Sequence, residues 1–223
     1  MIPWIQLDSA KVPGGREELR LKRRGSEFSI MLGANELMNS RLSGSEEALA
    51  RLSCAKIRGR QRPAMLIGGL GMGFTLRAAL AELPPDAAVV VAELVPAVIA
   101  WAHGPMAELF AGSLDDPRVN IREADVADLI VSGKVVYDAI LLDVDNGPDG
   151  LSRSANDRLY RLPGLAAAHA ALKPGGVLAV WSAHPDRSFA ARLRQSGFEV
   201  EEVHTRARGK RGARHVIWLA TRR

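Results

Sequence analysis

Two kinds of hydrophobic patterning divide the chain near residue 61. Before it, Glu18–Lys22 and Glu27–Leu32 read as two short strands, and Arg24-Gly25-Ser26 between them supplies the turn of a β-hairpin. Ser43-Gly44-Ser45-Glu46 then opens a helix, with Ser43 and Glu46 at the spacing of a capping box. Ala48, Leu49, Leu52 and Ile57 give that helix an apolar stripe.

After residue 61 short apolar runs alternate with helical patterns. Strands are predicted at Ala64–Ile67, Ala88–Ala92, Val119–Arg122, Tyr137–Leu142 and Val177–Trp181. The helices between them are Phe74–Leu83, Pro96–His103, Ala127–Val131 and Asp157–Leu172, with Ser188–Ser196 following the fifth strand. Pro84-Pro85 and Lys173-Pro174-Gly175-Gly176 supply two of the stops. Alternating strands and helices imply right-handed crossovers and a parallel sheet covered on both faces. The last two strands, Phe198–His204 and His215–Ala220, have only a basic loop between them and must run antiparallel. The expected fold is therefore α/β: a Rossmann-like sheet of seven strands, the last antiparallel, with helices on both faces. Residues 1–60 are expected to form a small N-terminal hairpin-and-helix region, and residues 61–223 the main α/β domain.

Composition changes this picture little. Hydrophobic residues make up 47% of the 223, enough for a core without covalent staples. The single cysteine, Cys54, excludes an internal disulfide, sits in no zinc-ligand pattern and reads as a packing residue; no metal site is expected. The N-terminus has neither the basic nor the apolar segment of a signal peptide. The longest apolar stretch, Val89 to Ala102, is interrupted by Glu93 and Pro96 and is too short for a bilayer, which needs about 20 residues. A cytoplasmic protein with no membrane association is expected. The net charge of +5 gathers at Arg16–Arg24, Lys56–Arg62 and Arg206–Arg214. No aromatic residues interleave with these charges to stack bases, so a solvated surface, and no nucleic acid, is expected.

The candidate chemistry lies at the carboxyl ends of the predicted strands, where open α/β sheets bind their ligands. The first strand runs into Gly68-Gly69-Leu70-Gly71-Met72-Gly73, and a helix follows at once. Gly69, Gly71 and Gly73 let the backbone turn tightly and a ligand approach closely. The dinucleotide fingerprint GxGxxG fails, because its last glycine would fall at Phe74. Glu93 follows the second strand, twenty positions past Gly73, where an acid can accept both hydroxyls of a ribose. After the third strand comes Glu123-Ala124-Asp125, where Asp125 can accept from an adenine amine while the backbone at Ala124 reads the ring edge. Asp125 reads equally well as a plain helix cap. The fourth strand ends in Asp143-Val144-Asp145-Asn146-Gly147-Pro148.

These residues carry a resemblance. Residues 64 to 181 resemble the class I S-adenosylmethionine-dependent methyltransferases, and more closely the spermidine synthase branch of that fold. Leu66-Ile67-Gly68-Gly69-Leu70-Gly71-Met72-Gly73-Phe74-Thr75-Leu76-Arg77 is similar to that branch's glycine-rich segment. Tyr137-Asp138-Ala139-Ile140-Leu141-Leu142-Asp143 is similar to the strand entering its active-site loop, and Leu172-Lys173-Pro174-Gly175-Gly176 is common before strand five in methyltransferases. The hairpin and the Gly44-Ser45-Glu46-Glu47 helix resemble the small domain that precedes the nucleotide fold.

The resemblance also defines departures. Met72 stands where that branch has an Asp holding the aminopropyl amine, and Asn146 stands where it has the Asp that helps deprotonate the attacking amine. Asn has no basic lone pair, and Asp145 substitutes only if the loop is re-set by one residue. The Tyr-His pair expected in the first helix is absent around Ser45–Ala48. What the resemblance implies first is a methyltransferase-like enzyme that binds S-adenosylmethionine and acts on a small molecule, with a homodimer as the assembly to consider. Asp143 would serve the cofactor's amino group and Asp145 the acceptor. The alternative is an aminopropyltransferase using decarboxylated S-adenosylmethionine. A third reading is a non-catalytic relative that keeps only the nucleotide site.

Overall fold

The computed structural model describes residues 2–14, 17–144, 157–208 and 211–223. The N-terminal region is a four-stranded antiparallel meander: β1 (Ile5–Lys11), β2 (Glu18–Arg24), β3 (Glu27–Leu32) and β4 (Asn35–Asn39). The expected hairpin is its central pair, with Leu21 opposite Ile30. The flanking strands were not expected, and each has a physical reason for being inconspicuous. β1 buries none of its residues and leaves Ile5 and Leu7 exposed, so no core face imprints a pattern on it. β4 has only five residues, and a bulge between Ile30 and Met31 shifts its register.

Helix α1 (Gly44–Lys56) follows from Ser43 as expected, but the expected capping box does not form. The Ser43 hydroxyl donates to Glu47 Oε1 at 2.8 Å, and Glu46 is left to other partners. Ser45, Leu49, Ser53 and the pair Ala50 and Cys54 form the buried face at four-residue spacing. Burial, with the charge of Glu82, pushes the Cys54 thiol up to about 12, which suits a packing residue.

The second sheet has the strand order β10-β11-β9-β8-β5-β6-β7. Its members are β5 (Ala64–Gly68), β6 (Ala88–Glu93), β7 (Val119–Glu123), β8 (Tyr137–Leu142), β9 (Leu172–Ser182), β10 (Phe198–Arg208) and β11 (Arg211–Arg222). β5 to β9 run parallel, while β11 is inserted antiparallel between β9 and β10. The basic loop expected between the last strands is largely strand, because the two run on to Arg208 and from Arg211.

Alternation along each central strand separates two cores. Met65, Ile67, Ala139 and Leu141 face one cluster, shared with α1, α2 (Phe74–Glu82), α3 (Pro96–His103) and the N-terminal sheet. Leu66, Ile140 and Leu142 face the other, shared with α5 (Val126–Ser132), α7 (Leu162–Ala171) and α8 (Arg187–Gln195). Two short pieces, α4 (Ala107–Phe110) and a 3₁₀ turn Ser113–Asp115, lead into β7. The single helix expected over Asp157–Leu172 is α6 (Asp157–Tyr160) and α7, divided at the extended residue Arg161. Pro163, in the first turn of α7, has no N–H with which to continue a preceding helix. Among the described residues no helix is long and apolar enough to cross a membrane.

Candidate active site

The chain leaves β5 toward β6 on one side of the sheet, and β8 pairs with β5 on the other. That divergence is a topological switch point, where open α/β sheets form a crevice. The Asp143 N–H donates to the Gly68 carbonyl at 3.1 Å, so the glycine turn and the end of β8 share the crevice floor.

All three glycines of the turn have positive φ: 93° at Gly69, 49° at Gly71 and 76° at Gly73. Their surroundings add a second constraint beyond ligand access. A Cβ at Gly69 would lie 2.7 Å from the Asp143 carbonyl oxygen, and one at Gly71 would lie 2.8 Å from Met38 Sδ of β4. One at Gly73 would overlap the Phe110 ring. The turn is thus shaped by the protein's own packing, and the N-terminal sheet closes over it through Met38. Met72 is fully buried in the core. A carboxylate there would be stranded among apolar side chains, so the position offers no amine-binding group.

Glu93, at the end of β6, is 8% exposed. Its Oε2 accepts from the Leu70 N–H at 3.0 Å and its Oε1 from the Val95 N–H at 2.9 Å. Burial raises its pKa, against the pull of these backbone donors. The carboxylate therefore ties the glycine turn to the start of α3 at the rim. Its main-chain carbonyl accepts from the Ala124 N–H at 3.0 Å, which brings the third loop alongside. Asp125 is the N-cap of α5, its Oδ1 accepting from the Ala127 N–H at 2.9 Å. Its Oδ2 pairs with Arg158 at 2.8 Å. The cap reading of Asp125 holds in the structure, and the residue stands on the same rim as Glu93.

Asp143 is half-buried, and its Oδ2 accepts from Thr75 Oγ1 at 2.6 Å. Burial and the charge of Glu46 push its pKa up to about 7, while the Thr75 hydroxyl pulls the other way. Glu46 is raised too, by burial first and by the adjacent Glu47 charge. Glu46 on α1 and Asp143 just past β8 are thus close enough that the charge of one opposes ionisation of the other. Asp145 and Asn146 lie outside the described residues.

The sequence reading missed this second carboxyl group. Glu46 had been assigned to a capping box, and the residues behind it come from distant parts of the chain. Ser45 Oγ donates to Glu46 Oε2 at 2.7 Å and lies 2.9 Å from His215 Nδ1. The His215 ring meets Trp181 edge to face, with centroids 4.8 Å apart. Only the Ser45-Glu46 pair at a helix start offered a local signal, and Glu46 also stands at capping-box spacing from Ser43.

An α/β sheet in this order, with the last strand inserted antiparallel and acids at the ends of β6, β7 and β8, defines the class I methyltransferase-like fold. No family model matches the chain. The curated relatives it matches are polyamine aminopropyltransferases. It is 32% identical over 152 residues to the enzyme of that name from Mycobacterium tuberculosis, a match covering 64% of this chain and 28% of the relative. It is 30% identical over 152 residues to polyamine aminopropyltransferase 2 of Pseudomonas aeruginosa, covering 65% of this chain and 41% of the relative. The chain thus spans well under half the length of these curated relatives. Among solved structures it is similar to spermidine synthase from Thermotoga maritima, with a TM-score of 0.78, 19% identity, and coverage of 98% of this chain and 73% of that one. A spermidine synthase in complex with the transition-state analogue AdoDATO gives a TM-score of 0.76 at 19% identity, covering 98% of this chain and 72% of that one. These comparisons correct the order of the two enzyme readings: the relatives carry the aminopropyl name, and only the fold is common to methyltransferases.

Proposed function

We propose that this chain is an aminopropyltransferase that moves the aminopropyl group of decarboxylated S-adenosylmethionine onto a small amine. The observation that carries the reading is the placement of Asp143 and Glu46 beside the glycine turn: the Asp143 N–H donates to the Gly68 carbonyl, and Thr75 Oγ1 lies 2.6 Å from Asp143 Oδ2 and 3.5 Å from the Glu46 carbonyl. A nucleoside carrying a cationic aminopropyl arm needs acceptors for its ribose and adenine and a carboxylate for its ammonium group. The rim offers Glu93 for the ribose, Asp125 with the backbone at Ala124 for the adenine, and Asp143 for the ammonium group. Two amines meet in such a reaction, and their charges compensate two carboxyl groups that otherwise oppose each other. S-adenosylmethionine itself would bring a third carboxylate into this acidic space, at an electrostatic cost.

Transfer requires the amine nitrogen to approach the CH₂ carbon on the sulfonium in line with the breaking C–S bond. Positioning supplies much of the acceleration in such a displacement, and the protein holds its carboxyl groups on the ends of a helix and a strand. The test is competitive binding by calorimetry with the full chain. The decarboxylated nucleotide should bind at least tenfold more tightly than S-adenosylmethionine. Equal or reversed affinities would return the reading to methyl transfer.

A further inference from the structure

We propose that Glu46 accepts the proton of the attacking amine, and that Ser45 and His215 hold it in place and carry the proton onward. This rests on the aminopropyl reading and assigns the one group that reading leaves open. Asn146 stands in the loop where the resemblance expects the base, and an amide nitrogen has no basic lone pair.

Four distances, two at Thr75 Oγ1 and two at Ser45 Oγ, place Glu46 in this role. Thr75 Oγ1 lies 2.6 Å from Asp143 Oδ2 and 3.5 Å from the Glu46 carbonyl, so the first turn of α1 lies beside the end of β8. The Glu46 carboxylate is directed by Ser45 Oγ at 2.7 Å. The same oxygen is 2.9 Å from His215 Nδ1, on a strand 170 residues away. Ser45 is buried, and its hydroxyl has one proton to give to two neighbours. When Glu46 is ionised, Ser45 donates to it and His215 Nδ1–H must donate to Ser45. When Glu46 is protonated, it can donate to Ser45, and Ser45 to an unprotonated Nδ1. The triad therefore has two complete hydrogen-bonding states that differ by movement of a proton along it. A pair with no such reversal would serve for packing alone.

The chemical step balances. The acceptor amine enters as an ammonium ion beside Glu46, while Asp143 holds the ammonium group of the aminopropyl arm. One N–H proton passes to Glu46, and the freed lone pair forms the new C–N bond to the CH₂ carbon. The C–S bond breaks with its electron pair going to sulfur, which leaves as a neutral thioether nucleoside. The product nitrogen is a secondary ammonium, and one proton is released through Glu46.

The titratable groups facing this triad are Asp143 just past β8, Glu47 beside Glu46, and His184 beyond β9, whose charge opposes protonation of His215. Steady-state rates with decarboxylated S-adenosylmethionine and putrescine, measured across pH on the full chain, test the assignment. Glu46→Gln should lower kcat by about 10²–10⁴-fold, the usual effect of losing a general base. Nucleotide affinity, read separately by calorimetry, should stay within about threefold of the natural protein, as expected of a group that meets only the acceptor. Glu46→Asp should recover part of the rate and guards against a folding artefact. Ser45→Ala and His215→Phe should shift the acid limb of the pH profile while leaving the nucleotide affinity intact. Unchanged kcat and pH profile in Glu46→Gln would overturn this role and leave the aminopropyl reading standing. Absence of transfer by the natural protein would overturn both together.

Discussion

At Glu93 both carboxylate oxygens are committed to backbone donors of the two adjoining turns. Removing the side chain strands two buried N–H groups, each costing about 1–3 kcal/mol. Glu93→Ala should therefore lower the denaturation midpoint as well as weaken nucleotide binding, and measuring both separates the two effects. An unchanged midpoint would mean that the turn re-pairs with water. The glycines permit a sharper comparison. Gly59 and Gly73 both sit at positive φ, 84° and 76°, but a Cβ at Gly59 meets nothing while one at Gly73 meets the buried Phe110 ring. Gly59→Ala should cost only the conformational term, about 1–2 kcal/mol. Gly73→Ala should cost about 1–3 kcal/mol more from overpacking. Equal losses in chemical denaturation would show that Phe110 moves aside freely. Glycine spacing revealed that the turn exists. It did not reveal Phe110 and Met38, because those contacts are long-range.

At the scale of elements, the central strands of the nucleotide domain were legible because burial on both faces makes them continuous apolar runs. β8 and α3 have the bounds their sequence patterns predict. β1 and β4 were illegible because edge strands with one wet face carry no such run. The start of β8 is anchored by a charge that the pattern also hides. Asp138 is 2% exposed and accepts from the Ala64 N–H at 2.8 Å, from Arg60 at 2.8 Å and from Lys173 at 2.7 Å. Burial pushes its pKa up, but those three donors outweigh burial and hold it below its ordinary value. A carboxyl group lowered on folding contributes stability above its unfolded pKa and loses it as pH falls. Asp138→Asn should destabilise by about 3 kcal/mol at neutral pH, the low end for breaking a buried pair, because Arg60 and Lys173 remain partly solvated. The deficit should shrink toward low pH. A pH-independent difference in unfolding free energy would mean that the loss is steric.

At the scale of the whole molecule, strand order does what local sequence cannot. Inserting β11 between β9 and β10 carries His215 to Ser45, and pairing β8 with β5 carries Asp143 to Thr75. These junctions were illegible because nothing near residue 45 encodes a partner 170 positions away. They also predict a pH signature. Asp143 is raised to about 7 on folding, so its contribution to stability is complete below about pH 4 and is lost as pH climbs through about 7. Relative to the natural protein, Asp143→Asn should lose less stability over that interval, read from denaturant midpoints. A bound dication should cancel the trend by favouring both ionised carboxylates. Identical pH slopes would mean that folding does not raise Asp143.

The most direct measurement is the product. Incubating the full chain with decarboxylated S-adenosylmethionine and putrescine, and analysing the mixture by mass spectrometry, should show a polyamine heavier than putrescine by one aminopropyl unit, together with the thioether nucleoside. No such product, with a methylated acceptor formed instead from S-adenosylmethionine, would contradict the account.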